Sequence, residues 1–284
     1  MKPRMGADYD REAIKYWDER SCNWQVAAPI SPQDGDIRFY EARAAGSAQG
    51  EQPLRALLLG VTPPVAGMRW PDATRLVVLD WSAGMFRNVF PRWNAPSRCG
   101  LVRGDWRQMP LAPASFDFVV GDGCYSTFGD ARGPVLLNEE AARVLRPGGE
   151  FCLRCHRRPD TPPAIDALFK PLLDGRMRNL DMFRWLLAMA AHGEASEGIR
   201  LGDVWEAWHA HVPDVSAAQQ RLGWTHQAVA NMERWKGAAT RYFFPSLAQL
   251  HEFAGAHFEV ESCELPNYAW GEHFPRLVLR RRQP

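Results

Sequence analysis

The sequence predicts an α/β protein whose core is a doubly wound, mostly parallel seven-stranded sheet. Short apolar runs alternate with helical stretches between residues 54 and 158, a pattern typical of parallel strands joined by helices on both faces of a sheet. The alternation stops over residues 161–240, and two further strand-like runs close the chain. With 284 residues, of which 46% are hydrophobic, the chain is long and apolar enough to bury a full core.

The charge balance bears on which partners the protein has. There are 34 Lys and Arg against 33 Asp and Glu, a formal net charge of +1, which gives no overall field for capturing a nucleic acid. No apolar run approaches the roughly 18 residues of a membrane span, and the amino terminus does not resemble a signal peptide. Six cysteines without an export signal indicate reduced thiols. We therefore expect a cytoplasmic protein without nucleic-acid or membrane partners; its oligomeric state stays open, a homodimer included.

Two helices are predicted at the amino terminus. Asp8 is placed to cap a helix over residues 9–20, and Ser31 to cap a second one that starts at Pro32 and reaches about residue 45. The segment 46–50, rich in Gly and Ser, reads as a linker. Residues 1–50 are thus expected to form a helical cap.

The strands and helices of the core follow in alternation. Strands are predicted over residues 55–59, 75–79, 100–103, 116–120, around 151, 257–263 and 275–280, with helices over 82–90, 138–145 and 245–254. Helical patterns fill residues 161–240. We expect a core of residues 51–160 and 241–284, interrupted by a helical insertion over 161–240 that acts as a substrate lid.

A C-x-x-C-H pattern over residues 152–156 matches the attachment motif of c-type haem. It lies in a predicted strand, where residues three apart point to opposite faces. Cys152 and Cys155 are therefore expected to pack in the core on opposite faces and not to hold a haem or a metal together.

Small and acidic residues stand at the carboxyl ends of the predicted strands, where open α/β sheets bind ligands. They are Gly60, Asp80, Asp105 and Asp122. The turn after the first strand lacks the G-x-G-x-x-G spacing of dinucleotide sites, and Pro63 and Pro64 remove amides that would cradle a pyrophosphate. An acid about twenty residues beyond that turn is placed to bind a ribose, so the sequence favours a nucleoside ligand without phosphates.

Five segments in this order resemble the class I S-adenosylmethionine-dependent methyltransferases, a Rossmann-like family. The resemblance is carried by Leu57-Leu58-Leu59-Gly60-Val61-Thr62, Val77-Val78-Leu79-Asp80-Trp81-Ser82, Gly104-Asp105-Trp106, Phe116-Asp117-Phe118-Val119-Val120-Gly121-Asp122-Gly123 and Ala141-Ala142-Arg143-Val144-Leu145-Arg146-Pro147-Gly148-Gly149-Glu150-Phe151. It is close over residues 54–158. It implies S-adenosylmethionine as cofactor and S-adenosylhomocysteine as product.

The resemblance implies a cofactor site along the strand ends. Asp80 would accept hydrogen bonds from both ribose hydroxyls, with Trp81 and Met85 beside the adenosine. Asp105 would meet the adenine amino group, and Trp106 would pack on the ring.

The glycine turn and the fourth strand would flank the methionine part. Gly60, Val61 and Thr62 would pass beneath it, although Thr62 and Pro64 stand where the family has further glycines. Gly121 and Asp122 would lie next to the sulfonium, with Asp122 as a candidate catalytic residue.

The predicted amino-terminal helices carry aromatic and basic residues, which favour cations and carboxylates respectively. We expect these helices to close over the cofactor. Tyr16 would face the sulfonium and Arg38 the methionine carboxylate.

The insertion is rich in aromatic residues, which can form its own core or wall an apolar substrate pocket. The candidate substrate contacts are Tyr125, Trp205 and Tyr242. His209 is a candidate base because an unperturbed histidine titrates near a pKa of about 6.5. The histidines lack a third ligand at suitable spacing, so no metal is expected.

The leading hypothesis is methyl transfer from S-adenosylmethionine to an N, O or S nucleophile of a small molecule by in-line displacement. Two alternatives remain: a methyltransferase acting on RNA or protein, and a non-catalytic protein that binds S-adenosylmethionine or serves as a scaffold.

Overall fold

The computed structural model describes residues 7–48, 52–193 and 196–283. Within these ranges the strands are β1 (Arg55–Leu59), β2 (Arg75–Asp80), β3 (Cys99–Arg103), β4 (Phe116–Asp122), β5 (Leu145–Arg154), β6 (Ile199–Arg200), β7 (Arg241–Tyr242), β8 (Phe258–Glu264) and β9 (Arg276–Arg281). The α-helices are α1 (Ala7–Ser21), α2 (Asp34–Ser47), α3 (Pro63–Ala66), α4 (Arg132–Val144), α5 (Ile165–Leu173), α6 (Leu180–His192), α7 (Leu201–His211), α8 (Val215–Leu222), α9 (His226–Glu233) and α10 (Leu247–Ala254).

Seven of the described strands form one mixed sheet in the order β3-β2-β1-β4-β5-β9-β8. The first five are parallel to one another, and β9 runs antiparallel to both β5 and β8. Leu59 at the end of β1 pairs with Leu79 of β2 and with Gly121 of β4. The carboxyl ends of these three strands therefore meet at one edge, and β1 lies at the point where the strand order reverses.

Alternating apolar side chains give the sheet a core on each face. Leu57 and Leu59 pack into one cluster, while Ala56 and Leu58 pack into the other. Cys152 and Cys155 are both fully buried, one in each cluster. The prediction that these two thiols lie on opposite faces is confirmed.

Helix α1 docks on the turn that follows β2. One carboxylate oxygen of Asp18 accepts hydrogen bonds from the Ser82 hydroxyl at 2.6 Å and from the Gly84 amide at 2.8 Å. A Cβ on Gly84 would come within 2.6 Å of the Ser21 hydroxyl oxygen and 2.9 Å of the Asp18 Cα. The absence of a side chain at Gly84 is thus what allows α1 to approach the strand ends.

Helix α2 is anchored against β4 and β5 by a buried tyrosine. The Tyr40 hydroxyl donates to the Gly121 carbonyl at 3.0 Å and accepts from the Arg154 amide at 2.9 Å. Tyr40 is fully buried, and burial raises the pKa of its hydroxyl well above the usual value. The hydroxyl therefore stays protonated and can make both bonds.

Helices α5 to α9 lie between β5 and β8 in the chain and share a separate apolar cluster that includes Trp185, Trp208 and Trp235. The short strands β6 and β7 pair antiparallel, with Ile199 opposite Tyr242. The Phe243 amide donates to the Ser126 carbonyl at 3.2 Å. That contact ties the end of the helical segment to the loop after β4.

Several predicted boundaries need correction. Helix α2 begins at Asp34 and not at Pro32, because Gln33 and Asp36 form a reciprocal capping box. It runs through Ser47, so the start of the predicted linker is helical, and residues 49–51 lie outside the described residues, as does the Asp8 side chain.

Two further segments differ from the prediction. The helix expected over 138–145 begins at Arg132, and residues 63–66 form a short helix with proline at its first positions instead of an open turn. The stretch after β2 is a π-helix over Met85–Val89 followed by a 3₁₀ turn. Among the described residues, no helix combines the length and apolar character needed to cross a membrane.

Candidate active site

Two adjoining clefts open at the carboxyl ends of β1, β2 and β4. The first cleft has an empty volume of about 630 Å³, and the second has one of about 670 Å³. They share part of their wall, which consists of Trp17, Trp24, Thr62, Asp122 and Thr127. A ligand in one cleft would therefore lie next to a ligand in the other.

Asp80 lies in the wall of the first cleft and is 7% exposed. Its two carboxylate oxygens accept from the Val61 amide at 3.1 Å and the Ser82 amide at 2.8 Å. Burial raises the pKa of Asp80 to about 6, while the two amides counteract this rise. A carboxylate offers about four acceptor positions, so about two remain for a ligand.

The turn after β1 lies against an indole ring. Gly60 has a φ of +81°, and a Cβ there would come within 3.1 Å of Trp106. Trp106 is fixed in place because its Nε1 donates to the Leu79 carbonyl at 2.8 Å. Glycine is needed here both for the backbone conformation and for the space.

Asp105 lies at the rim of the first cleft and is paired with Arg107. The closest oxygen–nitrogen distance between the two side chains is 2.7 Å, and Arg107 also reaches Asp10 of α1 at 2.8 Å. The Arg107 guanidinium lies 5.8 Å from the Trp81 ring centroid. The rim thus joins β3, α1 and the turn after β2.

Asp122 belongs to both clefts and is held by a buried arginine. Arg154 Nε donates to Asp122 Oδ1 at 2.6 Å, and Arg154 is fully buried. The same guanidinium donates to the carbonyls of Pro29 and Ile30. Burial raises the pKa of Asp122, although the charge on Arg154 acts in the opposite direction.

The second cleft is lined by the amino-terminal segment between Trp17 and Pro32, by the turns after β1 and β4, and by four residues from later in the chain: His156, Arg184, Trp185 and Tyr242. His156 Nδ1 lies 3.3 Å from Trp185 Nε1 and 3.1 Å from the Ser126 hydroxyl oxygen. Its Nε2 is buried and has no hydrogen-bond partner among the described residues. Burial, with a smaller contribution from Arg154, holds the pKa of His156 well below the usual value, so the ring is neutral.

Arg184 of α6 is the second buried cation of this cleft. Its terminal nitrogens donate to the Asn231 carbonyl at 2.5 Å and to Asp181 at 3.1 Å, and its Nε has no partner among the described residues. Burial, followed by the charge on Arg20, lowers the pKa of Arg184 to about 10. The guanidinium remains charged at neutral pH, in an environment that makes this charge costly.

Many of the residues singled out from the sequence line one of the clefts. Those in the first cleft are Gly60, Val61, Thr62, Asp80, Trp81, Asp105, Trp106 and Asp122. Thr62, Asp122 and Tyr242 line the second.

Other sequence candidates lie away from both clefts. Met85 and Tyr125 are buried in the two sheet cores, where the Tyr125 hydroxyl donates to Asn138 at 2.8 Å. Gly121 is buried behind the wall, and Tyr16 packs edge-on against Tyr242.

Three more candidates lie on or near the surface. Arg38 is exposed on α2, and His209 is exposed on α7, where its ring stacks on Trp205 with centroids 4.9 Å apart. Trp205 Nε1 donates to Glu233 at 3.0 Å. Trp205 thus stacks on His209 and bonds to Glu233 on the outer side of the helical segment.

Sequence reasoning missed the polar residues that the second cleft depends on: Ser126, His156 and Arg184. His156 ends the C-x-x-C-H pattern, but only the loop after β5 brings it to the cleft. In the described part of the chain, no group of three or more His, Cys, Asp or Glu is placed to hold a metal ion.

The comparisons with known proteins agree with this architecture. Residues 63–153 match the family model of a methyltransferase domain, and they contain β2 to β5 with the acidic strand ends. This match and the fold support a class I S-adenosylmethionine-dependent methyltransferase domain over that part of the chain. No curated protein matches this chain significantly in sequence.

Solved structures share the fold of this chain at low identity. An S-adenosylmethionine-dependent methyltransferase from Methanosarcina mazei is 11% identical with a TM-score of 0.50, covering 84% of this chain and 97% of its own. The 1,6-didemethyltoxoflavin-N1-methyltransferase of Burkholderia thailandensis is 13% identical with a TM-score of 0.52, covering 100% and 94%. A Rhodobacter sphaeroides protein described as a Zn-dependent alcohol dehydrogenase is 10% identical with a TM-score of 0.60, covering 96% and 98%. At these identities the likenesses establish the fold.

The first cleft fits the cofactor of the methyltransferases, S-adenosylmethionine. Asp80 offers free acceptor positions of the kind that ribose hydroxyls require. Aromatic rings line the rest of the cleft: Trp17, Trp24, Trp81, Trp106 and Phe128. Such rings suit both an adenine and a sulfonium cation.

Proposed function

We propose that this methyltransferase binds S-adenosylmethionine in the first cleft and a small-molecule acceptor in the second. The wall that the two clefts share is the observation that carries the proposal. The second cleft combines aromatic walls with a few polar groups, including Asp122, His156 and Arg184, which is the usual character of small-molecule sites.

The cofactor is held by the residues of the strand ends. Asp80 accepts from the ribose hydroxyls, Trp81 and Trp106 flank the adenosine, and Asp105, fixed by Arg107, faces the adenine amino group. The turn from Gly60 to Thr62 lies beneath the methionine part. Met85 and Gly121 contribute from behind the wall, and Tyr16 and Arg38 have the weakest support because neither lines the cleft.

When bound, S-adenosylmethionine supplies an electrophilic methyl group, which a lone pair on the acceptor's N, O or S attacks in line, leaving S-adenosylhomocysteine. The protein contributes position and the exclusion of water, which can lower a barrier by several kcal/mol. Trp17 and Trp24 close the shared wall against solvent, and Asp122 orients the acceptor. Asp122 is held by Arg154, so we assign it positioning rather than proton removal, and His209 receives no catalytic role.

The chain is organised around these two ligands. Residues 1–50 form a cap over the cofactor, residues 51–160 and 241–284 form the core, and residues 161–240 form a lid over the acceptor. Tyr242 contacts the acceptor, whereas Tyr125 and Trp205 support the walls from a distance. A cytoplasmic location and the absence of nucleic-acid partners remain predictions that rest on the sequence.

Methyl transfer is tested by incubating the protein with S-adenosylmethionine labelled in the methyl group and a mixture of small metabolites. We expect the label in a small molecule, with turnover unchanged by EDTA, and loss of labelling in the Asp80→Ala variant. The Asp72→Ala variant is the matched control, since Asp72 is exposed. Label that enters only RNA or protein would contradict the choice of acceptor.

A further inference from the structure

The second cleft contains two buried N–H donors without acceptors. His156 is 5% exposed and Arg184 is 3% exposed, and both line the cleft. In the described part of the chain, neither His156 Nε2 nor Arg184 Nε has a hydrogen-bond partner. A buried donor that finds no acceptor costs about 1–3 kcal/mol, so two in one cleft indicate that a ligand supplies the acceptors.

The neighbours of His156 fix which nitrogen carries its proton. Trp185 Nε1 is a donor only, and its contact with His156 Nδ1 at 3.3 Å makes that nitrogen an acceptor. The Ser126 hydroxyl oxygen, 3.1 Å from Nδ1, is compatible because its proton can rotate to donate to the same nitrogen. The neutral ring therefore carries its proton on Nε2, the atom without a partner.

Trp185 connects the two donors. It bonds to His156 through Nε1, and the Arg184 guanidinium lies 5.5 Å from its ring centroid. His156 and Arg184 therefore both lie against Trp185 in the wall of the cleft. Aromatic rings line much of the remaining surface: Trp17, Trp24, Trp185 and Tyr242.

The charges around the cleft favour an anion. Arg20 also lines it, and among the described residues no carboxylate lies within ion-pair distance of Arg20. Arg184 has one partner, Asp181, and Asp122 is already paired with Arg154. The charge on Arg20 also lowers the pKa of Arg184 and that of Arg234. A negative ligand would relieve this repulsion.

We propose that the acceptor of methyl transfer is an aromatic or heteroaromatic small molecule that carries a carboxylate. Its carboxylate accepts the N–H groups of His156 Nε2 and Arg184 Nε in the field of Arg20, and its ring lies among the aromatic side chains. The inference rests on the proposed function, and it specifies the chemical class of the substrate.

Binding to the whole protein saturated with S-adenosylhomocysteine tests this inference by calorimetry. The probes are benzoate, naphthoate and quinaldate, each compared with its uncharged amide. We expect at least one acid to bind tenfold or more tightly than its amide. The Arg20→Gln and Arg184→Gln variants should lose most of that preference, while the exposed Arg221 of α8, changed to Gln, should retain it.

His156 is tested with two substitutions. His156→Gln keeps an N–H near the position of Nε2 and should retain most of the affinity for the acid, whereas His156→Phe should lose it. Arg20 is only half-buried, so its variant remains informative if a substitution of the buried Arg184 prevents folding. Binding of S-adenosylhomocysteine to each variant reports whether it is folded.

Two outcomes would overturn the inference while leaving the proposed function intact. One is that no acid binds better than its amide to the protein saturated with S-adenosylhomocysteine. The other is that the Arg20 variant keeps the full preference for the acid. Failure of the unaltered protein to bind S-adenosylhomocysteine would instead overturn the proposed function and this inference together.

Discussion

Among single residues, Asp80 is the one on which cofactor binding is expected to depend most. Its carboxylate is buried, and two backbone amides fix its direction. Asp80→Ala should weaken binding of S-adenosylhomocysteine by about 1.5–3 kcal/mol, the range for hydrogen bonds to a charged group. Calorimetry measures this, with Asp72→Ala as the control. If folded Asp80→Ala bound S-adenosylhomocysteine as tightly as the unaltered protein does, the ribose would not bind at Asp80.

The raised pKa of Asp80 predicts a pH dependence. The carboxyl group titrates near a pKa of about 6 in the free protein, and its charged form is the better acceptor. Affinity for S-adenosylhomocysteine should therefore fall as the pH drops through that value, by about tenfold between about pH 7.5 and about pH 5. In Asp80→Asn this step should vanish. If the affinity of Asp80→Asn fell by the same amount over this pH range, the titrating group would be one other than Asp80.

The pair of Asp122 and Arg154 predicts a stability effect. Removing one partner of a buried ion pair costs about 3–5 kcal/mol, because the other charge stays buried. Asp122→Ala should lower the free energy of unfolding by that amount. Arg200 and Asp203 pair at the surface, with side chains 45% and 46% exposed, and Asp203→Ala should cost about 0–1 kcal/mol. Equal effects in denaturant unfolding would mean that other groups neutralise Arg154.

At the scale of secondary-structure elements, the position of α1 depends on Gly84. A Cβ at this position would lie within 3.0 Å of three atoms of α1. Gly84→Ala should therefore destabilise the protein by about 1–3 kcal/mol, the usual range for overpacking, and weaken cofactor binding because Trp17 is displaced. The control is Gly100→Ala in β3, where nothing lies within 4 Å of the added Cβ. Thermal unfolding and calorimetry together check both expectations.

The amino-terminal helices are also structural partners of the core. Arg154 donates to the carbonyls of Pro29 and Ile30, and Tyr40 bonds to the backbone of β4 and β5. A chain starting near residue 52 would leave the Arg154 guanidinium buried without these acceptors. Point substitutions such as Gly84→Ala therefore test the contribution of the cap better than its removal.

The sequence predicted some elements well and others poorly, for identifiable reasons. Strand β1 has the predicted bounds because its apolar run ends at a glycine with positive φ. Strand β5 begins at Leu145, earlier than expected, since Leu145 pairs with Phe116, a long-range contact that no local pattern reveals. The two-residue strands β6 and β7 are too short to leave a periodic signal.

At the scale of the whole molecule, the cofactor cleft was accessible to sequence reasoning and the second cleft was not. The acids at the strand ends follow from strand order, because parallel strands bring their carboxyl ends to one edge. His156 and Arg184 come to line one cleft only through packing of α6 against the loop after β5. Helical spacing suggested His209 and Trp205, whereas the fold turns these two outward, where they stack on each other.

At the largest scale, we propose that the two adjoining clefts hold the cofactor and the acceptor on either side of one shared wall. A crystal structure of the protein with S-adenosylhomocysteine tests it most directly. We predict ribose hydroxyls within hydrogen-bond distance of Asp80, the thioether sulfur at the wall formed by Trp17, Thr62 and Asp122, and the second cleft open beside it. S-adenosylhomocysteine bound elsewhere, or with its sulfur turned away from the second cleft, would contradict the account.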